Sequence, residues 1–483
     1  MSVTTVTTLR RHPGRALSAL LVSLAVVVAG CSSGSSHATA ETTTQAATTA
    51  PGASTSTPTD TQLATEAYVW GYPLVVTERT LQLFGLATPV NQLRFQPTLS
   101  DASSRSVVAP NADTLYAIAP LDLRGGPLVL TVPAIHDRYY AFQFMSAYTD
   151  SFAYVGTRAT GGEAGSWVIT PPGWTGTLPA GAHRISAPTP QVVLLGRFLV
   201  DGKADVANVH TLGTHISLQP LSTVTGAPGG APPPALGAPK GSAQAVARAG
   251  LGFYDELGDA LAINPPVDAY ERATVARFAR LGIGPGRHPS SEVHDPAVRA
   301  ALLAGITKGE AQLTVASGKA ARSVDGWVVS TNAGSYGHDA LTRAVVAKIG
   351  WGANIPVEAM YPHAVSDSTG GALDGAHRYV IHFPAGGLPP VKAFWSITLY
   401  GPDHFFVPNP INRFAIGDRT KGLQHGTGGS LDLYLQHDPP PGHEANWLPT
   451  PVSGPFYLSL RLYLPEQPIL DLTYRYPTIQ RTD

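Results

Sequence analysis

The string Asn111-Ala112-Asp113-Thr114-Leu115-Tyr116 brings a carboxamide, a carboxylate and a phenol within one short stretch of chain, and Arg158 follows further on beside Gly161-Gly162. Facing a cleft, Asp113 and Tyr116 could act as acid, base or ligand contacts. Arg158 has the planar donor fork to grip an anionic substrate or to pair with Asp113. A plainer reading stands beside this one. Pro110 enforces an extended entry, and Asn and Asp favour a turn in which the side chain bonds the backbone, so the string also suits an Asx-type turn capping a strand. Arg158 would then belong to a buried structural ion pair. We expect Asp113, Tyr116 and Arg158, the candidate catalytic residues, near one cavity, because strand ends of a β-sandwich cluster at an edge where loops build sites.

A second group lies towards the C-terminus. Phe394-Trp395-Ser396-Ile397-Thr398-Leu399-Tyr400 alternates as a strand. Trp395, Ile397 and Leu399 share one face; Phe394, Ser396, Thr398 and Tyr400 share the other. The mixed face could line a ligand pocket with aromatic walls, or pack against the helical region. Asn409-Pro410-Ile411-Asn412-Arg413 offers amides and a guanidinium in a Pro-shaped loop, and Asn446-Trp447 is similar. Asn111, Trp395, Tyr400, Asn412, Arg413 and Trp447 are the candidate ligand-binding residues, a set suited to sugars or carboxylates. The same residue types also tie loops to a sandwich.

Other patterns are weaker. The loop from Asp367 to Asp374 and Gly375 has oxygen ligands that could hold calcium, but Arg378 stands where an EF-hand has Glu. His210-x4-His215 and His377-x4-His382 lack the spacing of a helical zinc pair, so no metal site and no cofactor is identified. Ala333-Gly334-Ser335-Tyr336-Gly337 loosely fits a nucleophile elbow, with Trp327-Val328-Val329 before it and a helical pattern after it, yet no series of parallel strands surrounds it.

Cys31 is the one cysteine. It closes Val28-Ala29-Gly30-Cys31, behind Arg10, Arg11, Arg15 and the apolar run 16–30. The string is that of a signal peptide over residues 1–30 with a lipobox, resembling those of bacterial lipoproteins. That resemblance implies cleavage before Cys31, lipidation of its thiol by a palmitate-type acyl group, and attachment of an extracytoplasmic body to the cell membrane. Residues 31–60 are almost entirely Ser, Thr, Ala, Gly and Pro, too poor in apolar surface to offset ordering entropy, and read as a disordered tether.

These residues need elements to position them. Net charge is −1 and charged residues are 13%. With no basic stripe, nucleic acid is not an expected partner. The 50 Gly and 43 Pro, among many Val, Thr, Tyr and Trp, point to short strands joined by turns. Residues 61–85 show helical spacing, with Pro73 expected to kink or divide the helix. LVLTVP, YYAFQFM, SWVITPP and QVVLLGRFLV are β-type runs within 61–225. A Pro/Gly-rich stretch, 226–241, reads as linker or surface loop. Residues 242–350 read as helical, with His294-Asp295-Pro296 as a helix start. Residues 351–483 return to strands: RYVIHFP, AFWSITLY, SLDLYLQ and FYLSLRLYLP.

APNADTLY, LDLRGGPLVLTVP, RYYAFQFMSAYTD, YVGTRATGGEAGSW, PPGW and LLGR, in that order, resemble the domain of unknown function DUF1254. EAMYPHAVSDSTGGALDGAHRYVIHF, PPVKAFWSITLYGPD, NPINRFAIGDRT, ANWLPTP and LRLYLPEQPIL resemble its partner, DUF1214. The resemblance implies a mainly β fold with a helical insert: an N-terminal immunoglobulin-like β-sandwich (DUF1254-like, 61–225), a small α-helical domain, and a C-terminal jelly-roll β-sandwich (DUF1214-like, 351–483). It implies no defined activity. Ser146 stands where that pattern commonly has Asp, and Ser368-Thr369 where an acidic residue often sits, so no role attached to those carboxylates carries over. The reading that follows is a cell-envelope lipoprotein binding a small molecule or glycan in an interdomain cleft. The alternatives are an extracytoplasmic hydrolase or lyase using Asp113, Tyr116 and Arg158, and a structural envelope protein.

Overall fold

The computed structural model describes residues 57–105, 108–243, 245–317 and 322–483. Cys31, the signal peptide and nearly all of the tether lie outside the described residues. Within them the architecture is mainly β: four open sheets and a layer of helices.

The first sheet has five antiparallel strands in the order Arg94–Phe95, Thr114–Asp122, Gln191–Leu199, Tyr140–Ser146 and Ser151–Gly156. Strict alternation sorts its side chains. Leu115, Ala117, Ala119, Leu121, Tyr140, Phe142, Phe144, Val192, Leu194 and Phe198 point to a core shared with a second sheet, where Leu128, Leu130, Val132, Trp167 and Ile169 meet them. That second sheet runs His183–Ser186, Gly165–Thr170, Leu128–Val132, Ser217–Pro220.

The opposite face of the first sheet is divided between two covers. Met145, Val193 and Leu195 join the helical core. Tyr116, Gln143 and Arg197 instead face the C-terminal half of the chain, as their hydrogen bonds and ring contacts below describe.

At the centre of the helical layer is Asp60–Gly85, started by Thr59, whose hydroxyl accepts from Gln62 N while the Gln62 side chain accepts from Thr59 N. The sequence assigns this helix to the N-terminal β region. Its buried Leu63, Ala67, Trp70, Leu74 and Val75 in fact form one core with Phe253, Leu257, Phe278, Leu302, Leu313 and Val345 from the later helices. Pro73 does not divide it. Proline has no N–H to donate, so one i→i−4 hydrogen bond is lost there, and burial of this whole stretch holds the turn together. Gly305 of helix Pro296–Ser317 allows the close crossing: a Cβ there would lie 2.5 Å from the Cβ of Ala64. Asp295 accepts from Ala297 N at the start of that helix. Residues 226–241 carry no helix or strand and are mostly exposed.

The C-terminal half contains the third and fourth sheets. The larger runs Arg322–Val324, Trp327–Val329, His363–Ala364, Tyr457–Pro465, Val391–Tyr400, Ala415–Gly417, with Ala359–Met360 also on Tyr457–Pro465. A hairpin from inside the region read as helical, 322–329, thus joins this sheet. The smaller runs Trp447–Pro449, Leu431–Gln436, Tyr379–Phe383, Ile479–Arg481. The two share a core of Trp395, Ile397, Leu399, Leu458, Leu460 and Leu462 against Tyr379, Ile381, Phe383, Leu433 and Leu435.

Candidate functional site

Two neighbouring strands of the larger C-terminal sheet place a polar ladder opposite its core. Pairing sets Phe394 beside Tyr463, Ser396 beside Arg461, Thr398 beside Ser459 and Tyr400 beside Tyr457. Every second residue of each strand faces the core, so these eight must share the other face. The facing strands of the N-terminal sheet pair Tyr116 with Arg197 and Arg197 with Ala141. The joint between the two halves is therefore polar and aromatic.

The loop carrying Asn111 and Asp113 is clamped into this joint. Asp113 N donates to Asn111 Oδ1 at 2.7 Å, the Asx turn that the sequence suggests. Asn111 Nδ2 donates to the Tyr463 hydroxyl at 2.7 Å. Asp113 accepts from Ser396 Oγ at 2.6 Å and from Arg419 Nη2 at 2.7 Å. The Tyr400 hydroxyl donates to Pro110 O at 2.6 Å. Arg461 donates to Ala109 O at 3.0 Å, Pro110 O at 3.2 Å and Thr398 Oγ1 at 3.3 Å, and to the Tyr400 hydroxyl. Ala109 is held with φ at +51°, a region unfavourable for a residue with a Cβ.

A second arm uses the segment 352–361. Arg197 donates to Gln143 Oε1 at 2.7 Å, Asn354 Oδ1 at 3.2 Å and Gly352 O at 2.7 Å, while its Nε is buried without a hydrogen bond of good geometry. Its guanidinium carbon lies 5.3 Å from the centre of the Tyr116 ring. Asn354 Nδ2 in turn donates to the Tyr361 hydroxyl at 2.8 Å. Arg158 pairs with Glu358 at 2.5 Å, not with Asp113, and the Tyr139 hydroxyl donates to the other Glu358 oxygen at 2.7 Å. Glu358 is 1% exposed.

Electrostatics bind the arms together. Desolvation works against the charge of Arg197, but the phenols of Tyr116, Tyr361 and Tyr463 outweigh it and raise its pKa. Desolvation likewise opposes the charge of Arg461, and Tyr400, Tyr463 and Tyr116 raise it. Burial pushes the Tyr361, Tyr400 and Tyr463 phenols up, so they stay protonated and can donate. Tyr400 and Tyr463 are fully buried, whereas Tyr116, Tyr361 and Tyr457 are half-buried. His363 presents an edge to solvent yet is crowded by protein; desolvation, with Arg461 adding, depresses its imidazolium to about 4.

Asp113, Tyr116 and Arg158 all lie on this joint, but with three different partners. Asn111 and Tyr400 lie there too. Trp395 does not: it is 2% exposed and packs 5.2 Å from Phe383 inside the C-terminal core, because it belongs to the apolar parity of its strand. Arg413 and Trp447 tie loops together, Arg413 donating to the carbonyls of Glu444, Ala445 and Trp447, and the Trp447 indole to Gln436 O at 2.8 Å. Asn412 is exposed in that loop with φ at +51°. Residue-type reasoning missed Arg197, Asn354, Glu358, Arg419 and Arg461. The available signal was a lone Arg inside an otherwise apolar strand, in QVVLLGRFLV and in FYLSLRLYLP.

Two recesses lie elsewhere. A surface groove of about 620 Å³ is lined by Asp367, Asp374, His377, Arg481 and Asp483. Asp367 is occupied there by its own turn, accepting from Thr369 N at 2.8 Å, Thr369 Oγ1 at 2.7 Å and Gly371 N at 3.0 Å, which leaves it a turn-forming residue. A cavity of about 190 Å³ adjoins Asp150, Glu271 and Arg343, whose guanidinium already holds Glu271 at 2.8 Å. Ser335 is exposed in a segment without strand structure, not in a strand-to-helix elbow.

The family described as "Protein of unknown function (DUF1254)" matches residues 90–220, and "Protein of unknown function (DUF1214)" matches residues 358–467. No curated protein matches the chain. The crystal structure of the VPA0106 protein from Vibrio parahaemolyticus is similar, with a TM-score of 0.67 at 25% identity over 88% of this chain and 100% of that one. A putative uncharacterized protein from Burkholderia cenocepacia aligns with a TM-score of 0.45 at 14% identity, over 85% of this chain and 87% of that one. Asp113, Tyr116, Arg158 and Arg197 fall in the first matched segment, and Glu358, Tyr361, Ser396, Arg419 and Arg461 in the second.

Proposed function

We propose, for a chain that carries the DUF1254 and DUF1214 domains in tandem, that its task is to bind a small molecule in the joint between them. The observation that carries this reading is the pair of half-buried phenols, Tyr116 and Tyr361, set beside the buried Arg197 where the two domains meet. A joint built for cohesion alone would be apolar, because buried polar groups add little net stability and cost much when unpaired. Here the chain spends an arginine, several tyrosines and amides on it. Such convergent polar groups with aromatic walls suit ligand recognition.

Binding is favoured over catalysis by how Asp113 and Arg158 are held. Asp113 is occupied by Ser396 and Arg419, and Arg158 by Glu358. Both fit the holding of the site's walls better than proton transfer. Purification of the protein from the organism that encodes it, followed by denaturation and mass spectrometry, tests the reading. A small molecule released from the wild type and absent from Tyr116→Trp, which puts a larger ring beside Arg197, is the expected result. Equal release from both would place the ligand elsewhere, and release from neither would sink the reading.

The body's place in the cell envelope, through lipidated Cys31, is a further part of this proposal. One diacylated cysteine supplies two chains, sufficient for stable anchoring. Cys31→Ser should free the protein from membranes; retention after a high-salt wash would contradict it. We also assign the N-terminal pair of sheets to an immunoglobulin-like sandwich and the C-terminal pair to a jelly roll, a reading supported by the facing, mostly antiparallel sheets.

A further inference from the structure

Four arginines among the described residues are fully buried: Arg79, Arg197, Arg343 and Arg461. Two are neutralised in the way buried guanidiniums ordinarily are. Arg79 meets Glu256 at 2.7 Å, and Arg343 meets Glu271 at 2.8 Å. Arg197 and Arg461 meet no carboxylate among the described residues. Their acceptors are carbonyls, amide oxygens and hydroxyls. Both lie on the joint between the two domains, and both act on the phenols of Tyr116, Tyr361 and Tyr463. The nearby carboxylates are already committed, Asp113 to Arg419 and Glu358 to Arg158.

Burying a charge without a counter-charge is costly, and the cost is recovered when an anion arrives. We propose that Arg197 and Arg461 form the anion-recognising part of the site and that its ligand is a small organic carboxylate with an apolar or aromatic body. The proposal rests on the reading of the joint as a binding site and specifies what it takes. The Arg197 Nε is buried and makes no hydrogen bond of good geometry, with the Tyr116 phenol beside the guanidinium. Most other donors of the two guanidiniums already serve protein acceptors, so few remain. A two-oxygen monoanion matches that supply; a phosphate, with three terminal oxygens in a monoester and four in the inorganic ion, does not. The Tyr361 phenol, kept protonated by burial and accepting from Asn354 Nδ2, supplies a complementary O–H donor. Tyr116 and Tyr361, half-buried, offer flat walls for the body of the ligand, and the fully buried Tyr463 meets the Tyr361 ring edge-on at 6.3 Å between centroids.

The test uses the folded wild-type protein and three probes: 4-bromobenzoate, 4-bromobenzamide and inorganic phosphate. Crystals are grown with each, and bromine is located by its anomalous signal. Isothermal titration gives affinities. The expected result is bromine in the joint with the carboxylate against Arg197 or Arg461, at least tenfold weaker binding of the amide, and no competition by phosphate. Equal occupancy of the joint by benzoate and benzamide would overturn the anion assignment and leave the joint as a binding site. Displacement of the benzoate by phosphate would make the site a general oxyanion site and overturn the carboxylate class. Benzoate bound only outside the joint, or not at all, also overturns the proposal, while the mass spectrometry above decides separately whether the joint binds anything. Arg197→Lys and Arg461→Lys keep the charge but lose the fork, and each should weaken 4-bromobenzoate at least tenfold; where either fails to fold, the wild-type probe data decide.

Discussion

Ser396 Oγ donates to Asp113 Oδ2 at 2.6 Å, joining residues 283 positions apart. The bond links a loop at the start of an N-terminal strand to the middle of a C-terminal one. Arg419 holds the other oxygen of the same carboxylate. Asp113→Ala should therefore cost about 1–3 kcal/mol, below the roughly 3–5 kcal/mol for breaking a fully buried pair, since Arg419 is 23% exposed and partly solvated once freed. Urea unfolding of the two proteins measures it. Ser396→Ala removes one charge-assisted bond and should cost less, about 1–2 kcal/mol. An Asp113→Ala variant as stable as wild type would show that the clamp contributes nothing.

Glu358 and Arg158 allow a sharper test, because one partner is buried and the other is not. Glu358 is 1% exposed, while the Arg158 side chain is 31% exposed. Arg158→Ala leaves a carboxylate in a dry place with only the Tyr139 hydroxyl, and should cost about 2–4 kcal/mol. Adding Glu358→Gln removes that stranded charge. The double variant is thus expected to be more stable than Arg158→Ala alone. Additive losses in thermal or urea unfolding would contradict a buried pair.

Burial raises Glu78, on the helix Asp60–Gly85, to about 7, with Asp122 adding to the shift. Its folded pKa lies above the unfolded one, so the folded protein binds the proton more tightly. Stability from this group is full at pH values below the ordinary carboxylate range and declines as pH rises towards 7. Glu78→Gln should leave stability nearly unchanged at pH 4.5 and raise it by on the order of 1–3 kcal/mol at pH 8. Thermal melts of both proteins across that range check the sign. A variant less stable than wild type at pH 8 would mean that the ionised carboxylate is favourably held.

Much of the fold is legible in the chain because period-two alternation survives in the long strands. Leu115-Ala117-Ala119-Leu121 and Leu458-Leu460-Leu462 mark core faces without any structure. The place of the first helix is not legible. An amphipathic segment shows that it is covered, not by which residues, and its hydrogen-bond partners lie as far as 274 positions later in the chain. The joint is half legible for a similar reason. Asn111, Asp113, Tyr116 and Tyr400 stand out by type in local strings, whereas Arg197 and Arg461 matter through what they lack, a carboxylate, and only the assembled fold shows that.

Trp395 tests the parity argument that separates site from core. By residue type it suits a ligand contact, but its strand turns it away from the joint, onto Phe383 and the apolar side of the sheet. Phe394, one position earlier, is the residue that faces the joint, under Arg419 at 4.3 Å and stacked on Tyr463. Trp395→Leu removes a large buried ring while keeping an apolar side chain, and should cost about 2–4 kcal/mol by opening a cavity. Phe394→Leu also loses buried area, yet it alters the wall beside Tyr463 and should change both stability and ligand affinity. The expected pattern is that Trp395→Leu lowers the melting temperature with the affinity for 4-bromobenzoate unchanged within twofold, while Phe394→Leu weakens that affinity. Loss of affinity in Trp395→Leu and its retention in Phe394→Leu would place the binding surface on the other face of the strand.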